Sequence, residues 1–162
     1  MKVIKPPQEY DPCEETGISI FLAGSIEMGA AVNWQAEVEK RFSKYDYVTL
    51  LNPRRDDWDS TQEQSIDNPY FNEQVMWEMD NLYASSYIFM YFDPNTISPI
   101  SLLELGALCR DGKMMVCCPN GYFRKGNVEI FCEYHMIRYD DNLSDALDNL
   151  EELIKYNKND NE

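Results

Sequence analysis

Short, unbroken apolar runs alternate along this chain with longer segments whose apolar residues return every three or four positions. The runs "ISIFLA" (18–23), "YVTLL" (47–51), "YIFMYF" (87–92) and "KMMVCC" (113–118) stop at Gly24-Ser25, Asn52-Pro53, Asp93-Pro94 and Pro119-Asn120. Continuous runs of this length bounded by turn formers are read as strands covered on both faces. "IRY" (137–139) reads as a short fifth strand. Between them, 33–45 has helical spacing at Trp34, Val38 and Phe42, and 70–85, 99–112 (closed by Gly112), 127–136 and 143–156 read as further helices. The last of these places Leu143, Leu147, Leu150 and Ile154 on one face. Strands that alternate with helices, without a repeat or a dividing linker, predict a doubly wound α/β sandwich with a parallel sheet of about five strands. Residues 1–17 are left as an N-terminal extension, 18–156 as the domain and 157–162 as a polar tail.

In such folds a ligand sits at the carboxyl ends of the strands, near the point where strand order reverses. That expectation gathers Gly24-Ser25 and the loops 52–60, 93–99 and 119–126 around one crevice. Two acids there sit oddly. In "SPISLLELGALCR", Glu104 is flanked by leucines and shares a face with Ile100, Ala107 and Leu108. In the 70–85 helix, Glu78 falls on a stripe with Phe71, Val75 and Leu82. A carboxylate withdrawn from water is costly unless paired, and its pKa rises. Each acid can be structural, capping backbone or pairing a cation; each can equally be a catalytic carboxyl at a small-molecule crevice. Paired carboxyls of this kind suit chemistry at an anomeric carbon.

Composition narrows the choice. The formal charge is −15, from 29 acids and 14 bases, which disfavours polynucleotides and anionic membranes and leaves a small-molecule partner. No apolar run is long enough to span a bilayer, and the first residues lack the apolar core of a signal peptide. Five cysteines, an odd number with no CxxC pair, read as reduced thiols of a cytoplasmic protein. With His135 the only histidine, a His-based zinc site or Ser-His-Asp triad has little to build on. GxGxxG, GxxxxGK[ST] and GxSxG are all absent, and the acids of a phospho-accepting receiver domain are missing after the first strand.

"FLAGSIE", "LNPRRDDW", "NEQVMWE", "SPISLLELG" and "GNVE", in this order, resemble the nucleoside 2-deoxyribosyltransferase-like family, whose superfamily includes nucleoside 5′-monophosphate N-glycosidases. The similarity spans roughly residues 18–135. It implies a flavodoxin-like, Rossmann-like three-layer α/β/α sandwich. Glu104 then matches the nucleophile that attacks C1′ of the sugar, and Glu78 falls where the transferases carry an Asp facing the departing base. Gly24 and Ser25 match the loop that wraps the nucleoside, while Asn52, Arg54, Arg55, Asp57 and Trp58 lie in the base-side loop. Trp58 can stack on a base or cover the loop's own core. Asn127 resembles a segment that approaches a neighbouring subunit's pocket, so a homo-oligomer, at least a dimer, is expected. No metal or organic cofactor is implied.

Ser98 departs from the transferase pattern, which has an Asp six residues before the nucleophile; the nucleotide N-hydrolases carry a Ser there that accepts a 5′-phosphate. Thr96 and Ser101 add hydroxyls nearby, and a helix N-terminus favours anions. Against this, Pro99 supplies no N–H and the hydrolases' following glycines are missing. The reading is cleavage or transfer at the N-glycosidic bond of a (deoxy)nucleoside or its 5′-monophosphate through a glycosyl-Glu104 intermediate. The alternative is a nucleotide-binding sensor module without turnover. Nicotinamide release from NAD is weaker, since no second nucleotide subsite is evident.

Overall fold

A computed structural model of the chain describes residues 1–14, 16–27, 31–55, 57, 59 and 61–159. Its strands are β1 (Lys2–Ile4), β2 (Ile18–Gly24), β3 (Val48–Leu51), β4 (Tyr87–Tyr91), β5 (Met114–Cys117) and β6 (Arg138–Asp140). Its helices are α1 (Trp34–Phe42), α2 (Pro69–Ala84), α3 (Pro99–Leu108), α4 (Lys125–His135) and α5 (Leu143–Asn159). The predicted elements therefore form, with ends shifted by a few residues. The sheet is parallel throughout, in the order β1-β3-β2-β4-β5-β6. It has six strands rather than about five. The added one, β1, comes from the stretch that apolar patterning leaves as an extension: three residues carry too little period to be read, yet Ile4 is fully buried beside β3.

Alternation along β2 decides the layers. Ile18, Ile20 and Leu22 face α1 and α5, packing with Trp34, Val38, Phe42, Leu147, Leu150 and Ile154. Phe21 and Ala23 face the other way, into a core with Trp77 of α2, Leu105 and Leu108 of α3, and Val128 and Cys132 of α4. Helices on both faces explain why the strands read as continuous apolar runs. Helix starts follow the local sequence. Asn33 accepts from the Ala36 N–H at the head of α1, and Asn68 accepts from the Tyr70 N–H ahead of Pro69 at the head of α2. The far end of α2 is closed by Lys113, whose Nζ donates to the carbonyls of Leu82, Tyr83 and Ser85 at 2.7, 2.8 and 3.1 Å.

A polar hub joins α1 to α5. Glu151, with its side chain only 7 % exposed, accepts from Arg41 Nε at 2.6 Å and pairs with Lys44 at 2.9 Å and Lys155 at 3.0 Å. The Tyr45 hydroxyl also donates to it. That hydroxyl, with the surrounding cations, holds the Glu151 carboxyl well below the usual range. A depressed carboxyl contributes stability above its unfolded pKa and loses it as pH falls. Glu151→Ala leaves Arg41, Lys44 and Lys155 facing one another, so unfolding free energy by urea titration at neutral pH should fall by about 2–4 kcal/mol. The loss should shrink in acid. An unchanged midpoint would make the hub energetically idle.

Candidate active site

Strand order reverses between β2 and β4, and the two strands approach closely at their carboxyl ends. Gly24 ends β2 with φ +121°, and a Cβ there would lie 2.1 Å from the Tyr91 carbonyl oxygen. Only glycine fits. The next residue then drops beneath β4: the Ser25 N–H donates to Tyr91 O at 2.8 Å, and Trp34 Nε1 donates to Ser25 O at 2.9 Å. The buried Ser25 hydroxyl accepts from the Asp93 N–H at 2.8 Å. It also meets Thr96 Oγ1 at 2.8 Å and Ser98 Oγ at 2.6 Å, and those two lie 2.8 Å apart. Three buried hydroxyls thus close a triangle that locks the β2 loop to the loop preceding α3. Ser98 sits at the head of α3 in the left-handed region (φ 47°, ψ 54°), and its side chain makes no capping bond to the helix.

Two helices that pack on the same face of the sheet bring the candidate acids together. Glu104 of α3 and Glu78 of α2 are both half-buried. Burial pushes Glu104 up to about 8, and the nearby Glu78 charge adds to the rise. Burial pushes Glu78 up to about 7, opposed by a 2.8 Å hydrogen bond from Gln74 Nε2. Two coupled carboxyls near neutrality can hold one proton between them. Their helical surroundings differ from the sequence reading. The core face of α3 is Ser101, Leu105 and Leu108, whereas Ile100 and Leu103 are 59 % and 68 % exposed. The core face of α2 is Gln74, Trp77, Asn81 and Leu82, with Phe71 and Val75 only half-buried. The acids lie beside the core stripes, at their margins. Polar Gln74, Asn81 and Ser101 take core positions that an apolar stripe cannot reveal.

The remaining predicted residues divide. Asn52 is buried and structural in its contacts: Nδ2 donates to Glu39 at 2.7 Å, and Oδ1 accepts from the Arg54 N–H at 2.9 Å. The Arg54 guanidinium binds the carbonyls of Ala31 and Val32, each at 3.2 Å, and so ties the β3 loop to the β2 loop. Arg55 grips Asp57 with two parallel bonds of 2.9 and 3.0 Å and lies 4.8 Å over the Tyr70 ring. Trp58 lies outside the described residues. Asn127 is exposed in the first turn of α4.

Two further residues of the crevice escape sequence reading. Gln74, one turn before Glu78, joins Glu78 to the loop after β3 through a 3.1 Å bond to Pro53 O, and its buried Oε1 has no partner among the described residues. The i−4 spacing from Glu78 was the available signal. Glu27, three residues beyond Gly24, reaches across to the loop before α3 and accepts from the Ile97 and Ser98 N–H groups. Among the described residues no cluster of His, Cys, Asp and Glu is placed to hold a metal, and no helix is long and apolar enough to cross a membrane.

Fold and site together define a parallel α/β sandwich with a carboxyl pair at its switch point. The chain belongs to the nucleoside 2-deoxyribosyltransferase-like family, whose sequence model matches residues 17–122, from the start of β2 through the loop after β5. Among solved structures it is similar to a conserved protein from Enterococcus faecalis V583, at 14 % identity and a TM-score of 0.58, covering 85 % of this chain and 99 % of that one. That likeness is one of fold. No curated protein matches the sequence.

A carboxyl whose pKa is higher folded than unfolded favours the fold at low pH, and this contribution is lost as pH rises through about 7 for Glu78 and about 8 for Glu104. Urea unfolding should therefore show stability falling from the ordinary carboxyl value of 4.5 up to those folded values and levelling off above them. Glu104→Gln should flatten the slope and exceed the wild-type protein by about 1–3 kcal/mol near pH 9. Identical pH profiles for the two proteins would place the Glu104 carboxyl in ordinary solvent.

Proposed function

We propose that this chain cleaves the N-glycosidic bond of a nucleoside, with Glu104 as the nucleophile and Glu78 facing the departing base. The observation that supports this most is the placing of two half-buried carboxyls, both raised by burial, on two helices that pack against β2. In the first step a Glu104 oxygen bonds to C1′ as the C1′–N bond breaks. The bonding pair leaves with the base nitrogen, which takes up the proton held by the pair. In the second step the ester is opened by water, giving hydrolysis, or by a second base, giving transfer. Gln74, whose Oε1 beside Glu78 has no partner among the described residues, receives an N–H from the base in this reading.

Chromatographic detection of free base from a panel of nucleosides tests the reading. Glu104→Gln keeps size and hydrogen bonding but removes the nucleophile, and turnover should fall by roughly three orders of magnitude or more. Near-normal turnover in that variant, or no base release from any substrate by the wild-type protein, would refute it.

The working form is a homo-oligomer in this proposal. α2, α3 and α4 expose Met76, Met79, Tyr83, Ile100, Leu103, Ile130 and Tyr134 on the side of the molecule that carries the acid pair. A chain of charge −15 repels its own copies, so association has to run through apolar contact, and these helices offer it. A second copy is the occupant expected there. Leu103→Arg should shift the wild-type oligomer to monomer in light scattering. A wild-type monomer with full activity would overturn this expectation.

A further inference from the structure

At the opposite end of the sheet from Gly24 and Asp93, the amino ends of β4, β5 and β6 border a cavity of about 340 Å³. Tyr87, Met114 and Arg138, the first residues of these three strands, all line it. Tyr87 and Tyr91, at the two ends of β4, are separated by roughly 13 Å of extended chain, so the cavity and the crevice are separate places. Its depth is apolar: Met114, Met115 and, from α5, Leu150 are all buried. The Tyr87 and Tyr156 rings add aromatic surface, and Tyr156 stands 66 % exposed at the opening. The volume lies in the ~300–1,000 Å³ range of small-molecule pockets, which are mostly apolar with a few polar groups that fix orientation.

Charge sets this cavity apart. In a chain of 29 acids and 14 bases, no Asp or Glu lines it, whereas Lys113, His135 and Arg138 do. These three differ in what they offer. All three N–H donors of Lys113 go to the carbonyls at the end of α2, so it contributes charge and no further donor. His135 is held with its ring against Phe131 and Tyr134, at 4.4 and 5.1 Å between centroids. Arg138 is exposed and makes no ion pair among the described residues. Asp140 and Glu152 line an adjoining hollow that Arg138 also borders, yet neither pairs with it; Asp140 accepts instead from Asn149 Nδ2 at 2.9 Å. A guanidinium without a carboxylate in so acidic a chain offers a planar fork that matches one. We propose that this cavity binds a small organic anion with a flat apolar body, its carboxylate or phosphate on Arg138 and His135 and its body between Tyr156 and the methionines. Methionine packs readily against flat rings, and tyrosine stacks on them. Cys109 and Lys113, at the ends of α3 and α2, also line the cavity, so its occupant touches both helices that carry the acid pair. The site does not depend on the N-glycosidic reading.

Four probes, added to the isotope-labelled protein and followed by NMR, separate body from charge: naphthoate, naphthyl phosphate, the neutral naphthylmethanol and inorganic phosphate. At least one of the two naphthalene anions should give saturable shifts, at millimolar concentration or below, centred on Met114, His135, Arg138 and Tyr156. The tighter of the two identifies the headgroup. Naphthylmethanol should bind about tenfold or more weakly, and inorganic phosphate should leave the protein unaffected. Arg138→Gln, at an exposed position, should weaken the anion by about tenfold and leave naphthylmethanol unchanged. Tyr156→Ala, also exposed, should weaken both. No shift from either anion, equal binding of the neutral alcohol, an anion affinity unchanged in Arg138→Gln, or shifts centred on the exposed side chains of α2 and α3 would overturn the assignment. Shifts at the same four residues that grow with protein concentration, without any probe, would give the cavity to a second copy and overturn it as well.

Discussion

The site depends on one close approach, that of β2 to β4 at their carboxyl ends. Gly24 lies so near the Tyr91 carbonyl that no side chain fits. Ser25 is consequently carried beneath β4, where its hydroxyl meets those of Thr96 and Ser98. Everything around the crevice hangs from this joint. The loop before α3 is held by the triangle, α3 starts where that loop delivers it, and Glu104 stands on the helix so placed. The β2 loop is tied from its other side by the Arg54 guanidinium and by the Val32 N–H bond to Asp93 at 2.8 Å. A crevice built from short loops is positioned by such bonds more than by apolar packing.

The two groups of buried or half-buried acids show opposite physics. Glu151 is surrounded by cations and a phenol, stays ionised and joins two helices. Glu78 and Glu104 have no cation among their perturbing neighbours, and burial raises both. A fold gains nothing from leaving two carboxyls unpaired at the margin of its core, and local rules are commonly broken where chemistry is done. The contrast separates an acid tied to cations from a pair that the proposed reading makes reactive.

The layer of α2, α3 and α4 is also the layer with apolar side chains in solvent. Ile100 and Leu103 stand on the same helix as Glu104, so whatever covers them also borders the acid pair. Oligomerisation and the shape of the crevice are therefore linked in the proposed reading. Asn127, exposed on α4 in the same layer, is available to such a neighbour in that reading.

Apolar runs bounded by Gly, Pro and Asn were enough to find five strands, five helices and their parallel arrangement, because strands covered on both faces must be apolar throughout. β1 was not legible: three residues hold too little pattern, and Ile4 is recognisable as core only once β3 lies beside it. Glu104 and Glu78 stood out as acids in apolar company, although the helix faces assigned to them were displaced, since Gln74, Asn81 and Ser101 occupy core positions that polarity alone argues against. Glu27 and the inward turn of Ser98 were decided by tertiary structure. A hydroxyl can point to a ligand or to its neighbours, and a carboxylate can reach solvent or a backbone N–H seventy residues away in sequence; only the folded joint between β2 and β4 determines which. Sequence alone therefore determined the layers and the candidate acids, through the short-range periodicity of burial. The wiring of the crevice required the fold, because its hydrogen bonds join residues whose separation along the chain carries no signal.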